Sequence, residues 1–268
     1  MKNRKIKFIF IIILITIIII LSLFLKMKNE TVETSSNIVS TKKIEWGIKR
    51  NENHGQPDVG KENRRILEEN NGICLGKEDE KVLYLTFDEG YEAGYTSKIL
   101  EVLKENDVKA AFFITAHYLN TQEDLVNQMI EEGHIVGNHT VNHKSMPSLS
   151  EEEIRKEVMD LHTSIYEKFG YEMKYIRPPK GEFSEKSIKY TNTLGYKTVM
   201  WSFAYEDWNE NKQPNEEKAK EKIINNFHNG EIILLHGNSK TNTNILDSII
   251  KEAKSMGYEF KSLNEFEK

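Results

Sequence analysis

From residue 81 onward, the sequence alternates short apolar runs with longer amphipathic stretches. Such runs are typical of buried strands, whereas apolar residues spaced three and four apart indicate helices. Seven strands are predicted, beginning near Val82, Val108, His134, Lys174, Lys197, Glu231 and Tyr258. Six amphipathic stretches lie between them, and one opens with the capping-box spacing Ser150 to Glu153. The pattern predicts a mixed α/β domain. Because no glycine-rich nucleotide-binding motif follows a strand, a barrel-like arrangement is favoured.

The N-terminal region has a different composition. Phe8 to Leu25 carries no charge, and as a helix it would extend about 27 Å, which suffices to cross a hydrocarbon core of about 30 Å. Residues 1–28 are therefore predicted to form a basic tip and a transmembrane anchor. A cleaved signal peptide is the alternative, but no small-x-small cleavage site follows. Four cations precede the span and two follow it, which predicts that the rest of the chain lies outside the cytoplasm.

Charge and cysteine content exclude several classes of protein. The net charge is −5, and residues 29–268 alone carry −11, with 31 Lys and Arg against 42 Asp and Glu, which argues against nucleic-acid binding. Cys74 is the only cysteine, so it forms no internal disulfide and is predicted to be a small buried apolar residue. The polar stretch 29–45 is predicted to be a tether, and 46–80 an irregular lead-in to a domain spanning 81–268.

Reactive residues recur where the predicted strands end, which is where α/β and barrel folds build their sites. Asp88 and Glu89 close the first strand, and such a pair can bind a metal with one carboxylate and accept a proton with the other. Alone, an acidic pair of this kind is more often a solvated turn. His139 and His143 close the third strand, and a helical turn between them would bring both imidazoles onto one face, suited to a divalent metal such as zinc.

Three further strand ends carry polar residues. Arg177 begins the sequence RPPKG, in which the prolines can fix a guanidinium against a carboxylate; a stiff surface loop is an equally good interpretation. Asp207 and Trp208 combine a carboxylate with an aromatic ring that could stack on a sugar. His236 ends a buried strand, where a general acid could lie, although a structural histidine is the ordinary interpretation.

Taken together and in this order, TFDEG, HTVNH, RPPKG, WSFAYEDW and IILLH resemble the five motifs of the polysaccharide deacetylase (NodB-homology) family. The resemblance runs from about residue 81 to the C-terminus and implies a distorted (β/α)7-type barrel that removes acetyl groups from N-acetylated sugars with a divalent metal. The segment Gly90-Tyr91-Glu92, the stretch RPPKGEFSE and the lead-in from Trp46 are similar to the subgroup that deacetylates muramic acid on the route to the δ-lactam of spore cortex.

The resemblance also implies roles for individual residues. Asp88 would be the base and Arg177 its partner, while Asp207 would orient His236, the general acid. His139, His143 and Glu89 would hold the metal, although most of the family has Asp at position 89. Four residues would contact the substrate: Lys180 through its backbone N–H, Trp208 and Leu234 in the acetyl pocket, and Tyr91.

The function that we expect is hydrolytic de-N-acetylation of N-acetylmuramic acid in peptidoglycan glycan strands, after an amidase has removed the peptide. The cofactor would be a divalent metal, with zinc favoured. One alternative is a deacetylase of N-acetylglucosamine in peptidoglycan or chitin-like oligosaccharides. Another is a non-catalytic cell-wall-binding protein, which only Glu89 supports.

Overall fold

The computed structural model describes residues 15–24, 26 and 39–266. The chain divides into two compact units, with the boundary between Ser40 and Thr41. In the first unit, residues 15–24 form helix α1, whose large apolar side chains are exposed. Among the residues that the model describes, no helix has both the length and the apolar character needed to cross a membrane. Both ends of the predicted span, Phe8 and Leu25, lie outside these residues. Most of the predicted tether, residues 29–45, also lies outside them.

The described part of the second unit, residues 41–266, contains nine strands. They are β1 (Ile44–Glu45), β2 (Val82–Glu89), β3 (Ala111–Ile114), β4 (Ile135–Asn138), β5 (Tyr175–Ile176), β6 (Glu182–Phe183), β7 (Lys197–Thr198), β8 (Glu231–His236) and β9 (Glu259–Phe260). The seven strands predicted from the sequence are β2, β3, β4, β5, β7, β8 and β9. All seven are present. β2, β3, β4, β5 and β8 are apolar and largely buried, whereas β7 and β9 are two-residue strands that are only partly buried.

Helices connect the strands. They are α2 (Lys61–Glu69), α3 (Thr96–Glu105), α4 (Ala116–Thr121), α5 (Glu123–Glu131), α6 (Glu151–Phe169), α7 (Glu185–Thr193), α8 (Glu216–Ile224) and α9 (Lys240–Ser255). The predicted capping box at α6 is confirmed: Ser150 accepts from the Glu153 amide, and the Glu153 carboxylate accepts from the Ser150 amide.

The sheet has the order β7-β5-β4-β3-β2-β8, and β9 pairs with the first two residues of β2. Every pairing between these strands is parallel, so their carboxyl ends lie along one edge. Phe203, beyond β7, forms a single parallel bridge with Ile233 of β8. The two ends of the sheet thus meet through one bridge instead of a full ladder, and the fold is an α/β half-barrel.

The core lies on both faces of β2, all eight residues of which are buried. Phe87 stacks on Phe112 of β3, with ring centroids 5.2 Å apart, on the face covered by helices. Tyr84 and Phe113 belong to a second apolar cluster. A fully buried central strand holds its carboxyl end rigidly, which fixes the position of Asp88 and Glu89.

The predicted irregular lead-in over 46–80 requires a correction, since Lys61–Glu69 is helical. This helix buries Ile66 and Leu67, and its exposed face carries ion pairs such as Arg65–Glu62. The Trp46 indole donates to the Trp201 carbonyl at 2.9 Å, so the lead-in packs against the main domain as part of the same compact unit. Cys74 is buried in this region, as predicted.

Candidate active site

A cavity of about 850 Å³ lies at the carboxyl edge of the sheet. Its walls include Asp88 from the end of β2, His139 and His143 after β4, and His236 from the end of β8. Asp88 is directly opposite His236 in the register of β2 and β8. The parallel order of the sheet therefore brings together residues that are far apart in the sequence, as predicted.

Arg177 fixes Asp88. Its Nη1 donates to Asp88 Oδ1 at 2.8 Å, and its Nη2 donates to Thr86 Oγ1 at 2.8 Å. Nε donates to the Val199 carbonyl at 3.2 Å, and the guanidinium lies 4.2 Å from the centroid of the Phe113 ring. Arg177 is fully buried, and these contacts replace the water that its charge has lost.

The charge on Asp88 follows from this arrangement. Burial by itself would raise the pKa of Asp88, but Arg177, with smaller contributions from His139 and His236, outweighs burial and lowers that pKa below its ordinary value. Asp88 is therefore ionised at neutral pH. Its second oxygen, Oδ2, lies 3.4 Å from His139 Nε2, so it faces the histidine pair.

His139 and His143 place their Nε2 atoms 3.1 Å apart. His139 Nδ1 donates to the Arg177 carbonyl at 2.8 Å, which leaves the lone pair on Nε2. Burial lowers the pKa of both histidines, that of His143 to about 4, where the neighbouring His139 also contributes. Both rings are therefore neutral near pH 7, the form that binds metals.

The backbone between these histidines differs from the prediction of a helical turn. Residues 139–145 are not helical, and Thr140 and His143 have φ values of 69° and 53°. Left-handed backbone at non-glycine residues is uncommon and concentrates at functional sites. The Asn138 side chain supports this loop by accepting from the Thr140 amide at 2.9 Å.

Asp207 holds His236, which is the contact that the family resemblance implies. His236 Nδ1 donates to Asp207 Oδ1 at 2.7 Å, and its backbone amide donates to Oδ2 at 2.9 Å. Burial alone would lower the pKa of His236, but the Asp207 charge and hydrogen bond raise it above its ordinary value. The arrangement stabilises the imidazolium form relative to a free histidine, and it leaves Nε2, the remaining nitrogen, available for proton transfer.

Glu89 does not lie where the prediction of a metal ligand requires. Successive side chains of a strand point to opposite faces, so Glu89 points away from the pocket that Asp88 lines. It is 1% exposed; Oε1 accepts from Thr96 Oγ1 at 3.2 Å, and Oε2 has no hydrogen-bond partner. Its carboxylate packs on Gly237, where an added Cβ would lie 1.9 Å from Oε1. We therefore correct the predicted ligand set by removing Glu89.

The remaining donors partly fit a divalent metal. Two neutral imidazoles face each other, one with its tautomer fixed, and an ionised carboxylate oxygen lies beside them. Among residues 15–24, 26 and 39–266, however, no group of three or more His, Cys, Asp or Glu side chains is arranged as a metal site. The two histidines thus offer a divalent metal two nitrogen ligands in an open site, and other ligands must complete its coordination shell.

The residues predicted to contact substrate line the same cavity. Trp208 is 50% exposed, and its ring centroid lies 5.8 Å from that of His236. Leu234 contributes a buried apolar wall. Tyr91 is half-exposed, and its hydroxyl accepts from Asn238 at 2.8 Å. Lys180 lies at the exposed side of the cavity.

Sequence reasoning missed several residues of the site. Asn242 donates to Asp207 Oδ2 at 2.6 Å, and it accepts from the Tyr205 hydroxyl. Thr86 holds the far end of Arg177. Thr86 lies inside the TFDEG motif and Tyr205 inside WSFAYEDW. The sequence signal that could have identified them is a polar side chain within an otherwise apolar segment of a motif. Asn242 is three residues into α9 and had no such signal.

Comparison with known proteins identifies relatives of this chain. The sequence model of the polysaccharide deacetylase family matches residues 75–199. An uncharacterised 30.6 kDa protein of Geobacillus stearothermophilus is 47% identical over 232 residues, which cover 86% of this chain and 88% of the relative. The peptidoglycan-N-acetylmuramic acid deacetylase PdaA of Bacillus subtilis is 42% identical over 86% of this chain and 89% of its own.

The crystal structure of Bacillus subtilis PdaA, described as a family 4 carbohydrate esterase, superimposes with a TM-score of 0.83. It covers 85% of this chain and 98% of its own, at 41% identity. A peptidoglycan-N-acetylglucosamine deacetylase of Bacillus cereus is 33% identical over 70% of this chain and 88% of its own. The family match at residues 75–199 includes Asp88, His139, His143 and Arg177.

Proposed function

The chain belongs to the polysaccharide deacetylase family, and on that premise we propose that it hydrolyses the N-acetyl group of N-acetylmuramic acid in peptidoglycan. It is a polysaccharide N-deacetylase, a hydrolase that cleaves an amide bond. The muramic acid substrate is supported by the 42% identity with PdaA over nearly the full length of both proteins.

One observation carries the catalytic part of the proposal. Within one cavity, an ionised carboxylate and a histidine with a raised pKa lie at opposite register positions of two adjacent strands. A pair of groups with their pKa values shifted in opposite directions is the arrangement that acid–base hydrolysis requires.

In this mechanism, Asp88 takes a proton from the attacking water while Arg177 and Thr86 hold its carboxylate in place. Arg177 also keeps Asp88 ionised before the reaction begins. His236 then donates its proton to the departing amine nitrogen, and Asp207 stabilises the imidazolium form until that transfer. Leu234 and Trp208 offer an apolar wall for the acetyl methyl, and the Lys180 backbone N–H is assigned to the oxyanion.

His139 and His143 would hold the divalent metal. When bound, that ion supplies Lewis-acid polarisation of the amide carbonyl and lowers the pKa of water. Their neutral state and the fixed tautomer of His139 suit them to this role. Zinc is our proposed ion, because imidazole nitrogens in an open site are typical of catalytic zinc.

The place of this reaction in cell-wall chemistry is also a proposal. Closure of a muramic δ-lactam joins the freed amine to the lactyl carboxyl, and a stem peptide would occupy that carboxyl. We propose that the enzyme acts after an amidase, on the route to the lactam of spore cortex. Efficient acetate release from fully peptide-substituted peptidoglycan, with no preference for amidase-treated strands, would contradict this order.

We also propose that the catalytic domain is extracytoplasmic and anchored by the N-terminal segment. The uncharged stretch from Phe8 to Leu25 and its basic flank support this location. Protease treatment of intact cells should remove the domain and leave a membrane-bound N-terminal fragment. A full-length chain recovered in the soluble cytoplasmic fraction would contradict it.

A second candidate substrate is N-acetylglucosamine, which the 33% identity with the Bacillus cereus deacetylase favours. The two substrates are distinguished by incubating the purified chain with amidase-treated peptidoglycan and analysing the digested muropeptides by mass spectrometry. Loss of acetyl from muramic acid supports the proposal, whereas loss from glucosamine alone supports the second candidate. No acetate release from either sugar, with the glycan still bound, would identify a non-catalytic binding protein.

A further inference from the structure

Lys180 is the only Lys or Arg among the residues that line the catalytic cavity in the described part of the chain. Asp88 is the only carboxylate in the same lining, and the buried Arg177 already neutralises it. The cavity therefore presents one uncompensated cation to whatever enters it.

The side chain of Lys180 makes no contact that explains its presence. It is exposed, and it forms neither a hydrogen bond nor an ion pair with the described residues. Glu182, the carboxylate two positions away, is paired with Lys43 at 3.0 Å. Lys180 lines the same cavity as Asp88 and His236. Lys180 thus lies beside the reacting centre with no ion pair to a described residue, although its charge also acts on Glu182 and, after the hydrogen bonds to that carboxylate, contributes to its lowered pKa.

The backbone at Lys180 adds a second observation. Its φ is 61°, in the left-handed region where residues with a side chain are disfavoured and glycine is preferred. Gly181, with φ 65°, is left-handed too, and there a Cβ would come within 2.8 Å of the Trp201 ring. Both left-handed positions line the cavity, and the first carries a long cationic side chain in spite of the backbone cost.

Muramic acid differs from glucosamine by a lactyl ether on the carbon next to the one that bears the acetamido group. When the acetamido group lies among Asp88, His139 and His236, the lactyl carboxylate falls only a few bonds from the reacting amide. On the basis of the proposed function, we propose that the Lys180 ammonium binds the lactyl carboxylate and so selects peptide-free muramic acid over glucosamine. A salt bridge to an ionised partner is the strong form of such a contact.

The test is a double-mutant cycle between the enzyme and its substrate. Full-length chain is assayed for acetate release from amidase-treated glycan strands, and from the same strands with the lactyl carboxylates converted to neutral N-methylamides. In the wild type, the carboxylate strands should be favoured in kcat/KM by about 10- to 100-fold, the value of one charge-assisted hydrogen bond. In Lys180→Met that preference should fall below about 3-fold, with Lys180→Arg restoring it.

Lys189→Met is the matched control, because Lys189 is exposed on α7 and does not line the cavity. It should keep the wild-type preference. Added salt should reduce the preference in the wild type more than in Lys180→Met, since the pair is partly exposed to solvent. A Lys180→Met variant that retains the full preference for the carboxylate strands would overturn the assignment.

Failure of the proposed function has a different signature. A wild-type enzyme that releases acetate from chitin oligosaccharides but from neither form of the muramyl strand refutes muramic acid as the substrate, and with it the role of Lys180. A wild type that deacetylates both muramyl forms equally refutes the Lys180 assignment alone.

Discussion

Asp88 and Glu89 are consecutive carboxylates at the end of one strand, yet they lie in opposite environments. Asp88 faces the cavity, pairs with Arg177 and has a lowered pKa. Glu89 faces the interior, has one oxygen without a partner and has a pKa raised well above its ordinary value, first by burial and then by the Glu92 charge. The difference shows that the direction of a side chain, and not its chemical type, decides which of the two carboxylates faces the cavity.

The largest expected difference between the two is in turnover. Asp88→Asn should lower kcat/KM by about 10²-fold or more, because it removes the base while keeping the shape of the site. His236→Ala should have an effect of similar size through loss of the acid. Glu89→Gln should change kcat/KM by less than about 3-fold. Acetate release at fixed pH measures all three, and comparable losses in Asp88→Asn and Glu89→Gln would break the contrast.

Metal affinity should depend on the histidines that line the cavity and not on Glu89, which points away from it. His139→Ala should weaken metal binding by at least about 10–100-fold, and the His139→Ala, His143→Ala double variant should abolish it. Glu89→Ala should leave it unchanged, since Glu89 does not line the cavity. Titration of the metal-free chain with zinc gives the affinities. Weakened binding in Glu89→Ala would return Glu89 to the ligand set.

The alkaline limb of the pH–rate profile should depend on Asp207. His236 must be protonated to act as the acid, and Asp207 raises its pKa. The profile should therefore be bell-shaped, and Asp207→Asn should move the alkaline limb to lower pH as well as reduce turnover. An alkaline limb that stays in place in Asp207→Asn would remove His236 from the role of acid.

The pH dependence of stability should have opposite signs for the two carboxylates. The lowered pKa of Asp88 stabilises the fold above the ordinary value of 3.8, and this stabilisation is lost as the pH falls through the folded-state pKa. The raised pKa of Glu89 favours the fold below the ordinary value of 4.5, and this contribution is lost as the pH rises through its folded-state pKa.

The thermal stability of Glu89→Gln should consequently increase relative to that of the wild type as the pH is raised from 5 to 8. A relative gain in Tm of about 2–4 °C, equivalent to about 1 kcal/mol in a domain of this size, would be measurable by calorimetry. Asp88→Asn is the contrasting case, since its Tm relative to that of the wild type should fall or stay constant over the same pH range. A Glu89→Gln variant whose Tm follows that of the wild type at every pH would contradict a raised pKa of Glu89.

The most local expected effect concerns the packing of Glu89 on Gly237. Gly237→Ala should destabilise the fold by about 1–3 kcal/mol, because the new Cβ would lie 1.9 Å from Glu89 Oε1 and the carboxylate must shift. In a Glu89→Ala background the same change should cost less, since the obstructing atoms are gone. Chemical denaturation of the four proteins measures the coupling, and strictly additive effects would show that the two residues do not contact each other.

How much of this structure the sequence predicts depends on the range of the interactions involved. The seven strands and the reactive residues at their ends are predictable, because apolar runs are local and parallel strands share one carboxyl edge. The helix Lys61–Glu69 was missed because its charged residues obscure the two that it buries. The left-handed loop at Thr140 and His143 and the Asn242 contact to Asp207 depend on packing between distant segments, which no local pattern records.

The position of Glu89 was within reach of the sequence. A strand that directs Asp88 into the cavity must direct the next residue away for as long as the strand continues, and β2 continues through Glu89. The family resemblance favoured a ligand at this position, and the period of the strand opposed it. What could not be read from the sequence was where β2 ends.

The central claim is that this chain removes acetyl from muramic acid by means of the Asp88 and His236 pair. The most direct measurement is mass spectrometry of muropeptides from amidase-treated peptidoglycan after incubation with the full-length chain, its Asp88→Asn variant and its Glu89→Gln variant. The account predicts de-N-acetylated muramic acid with the wild type and Glu89→Gln, and none above background with Asp88→Asn. Intact N-acetylmuramic acid after incubation with active wild-type enzyme, or equal product from Asp88→Asn, would contradict it.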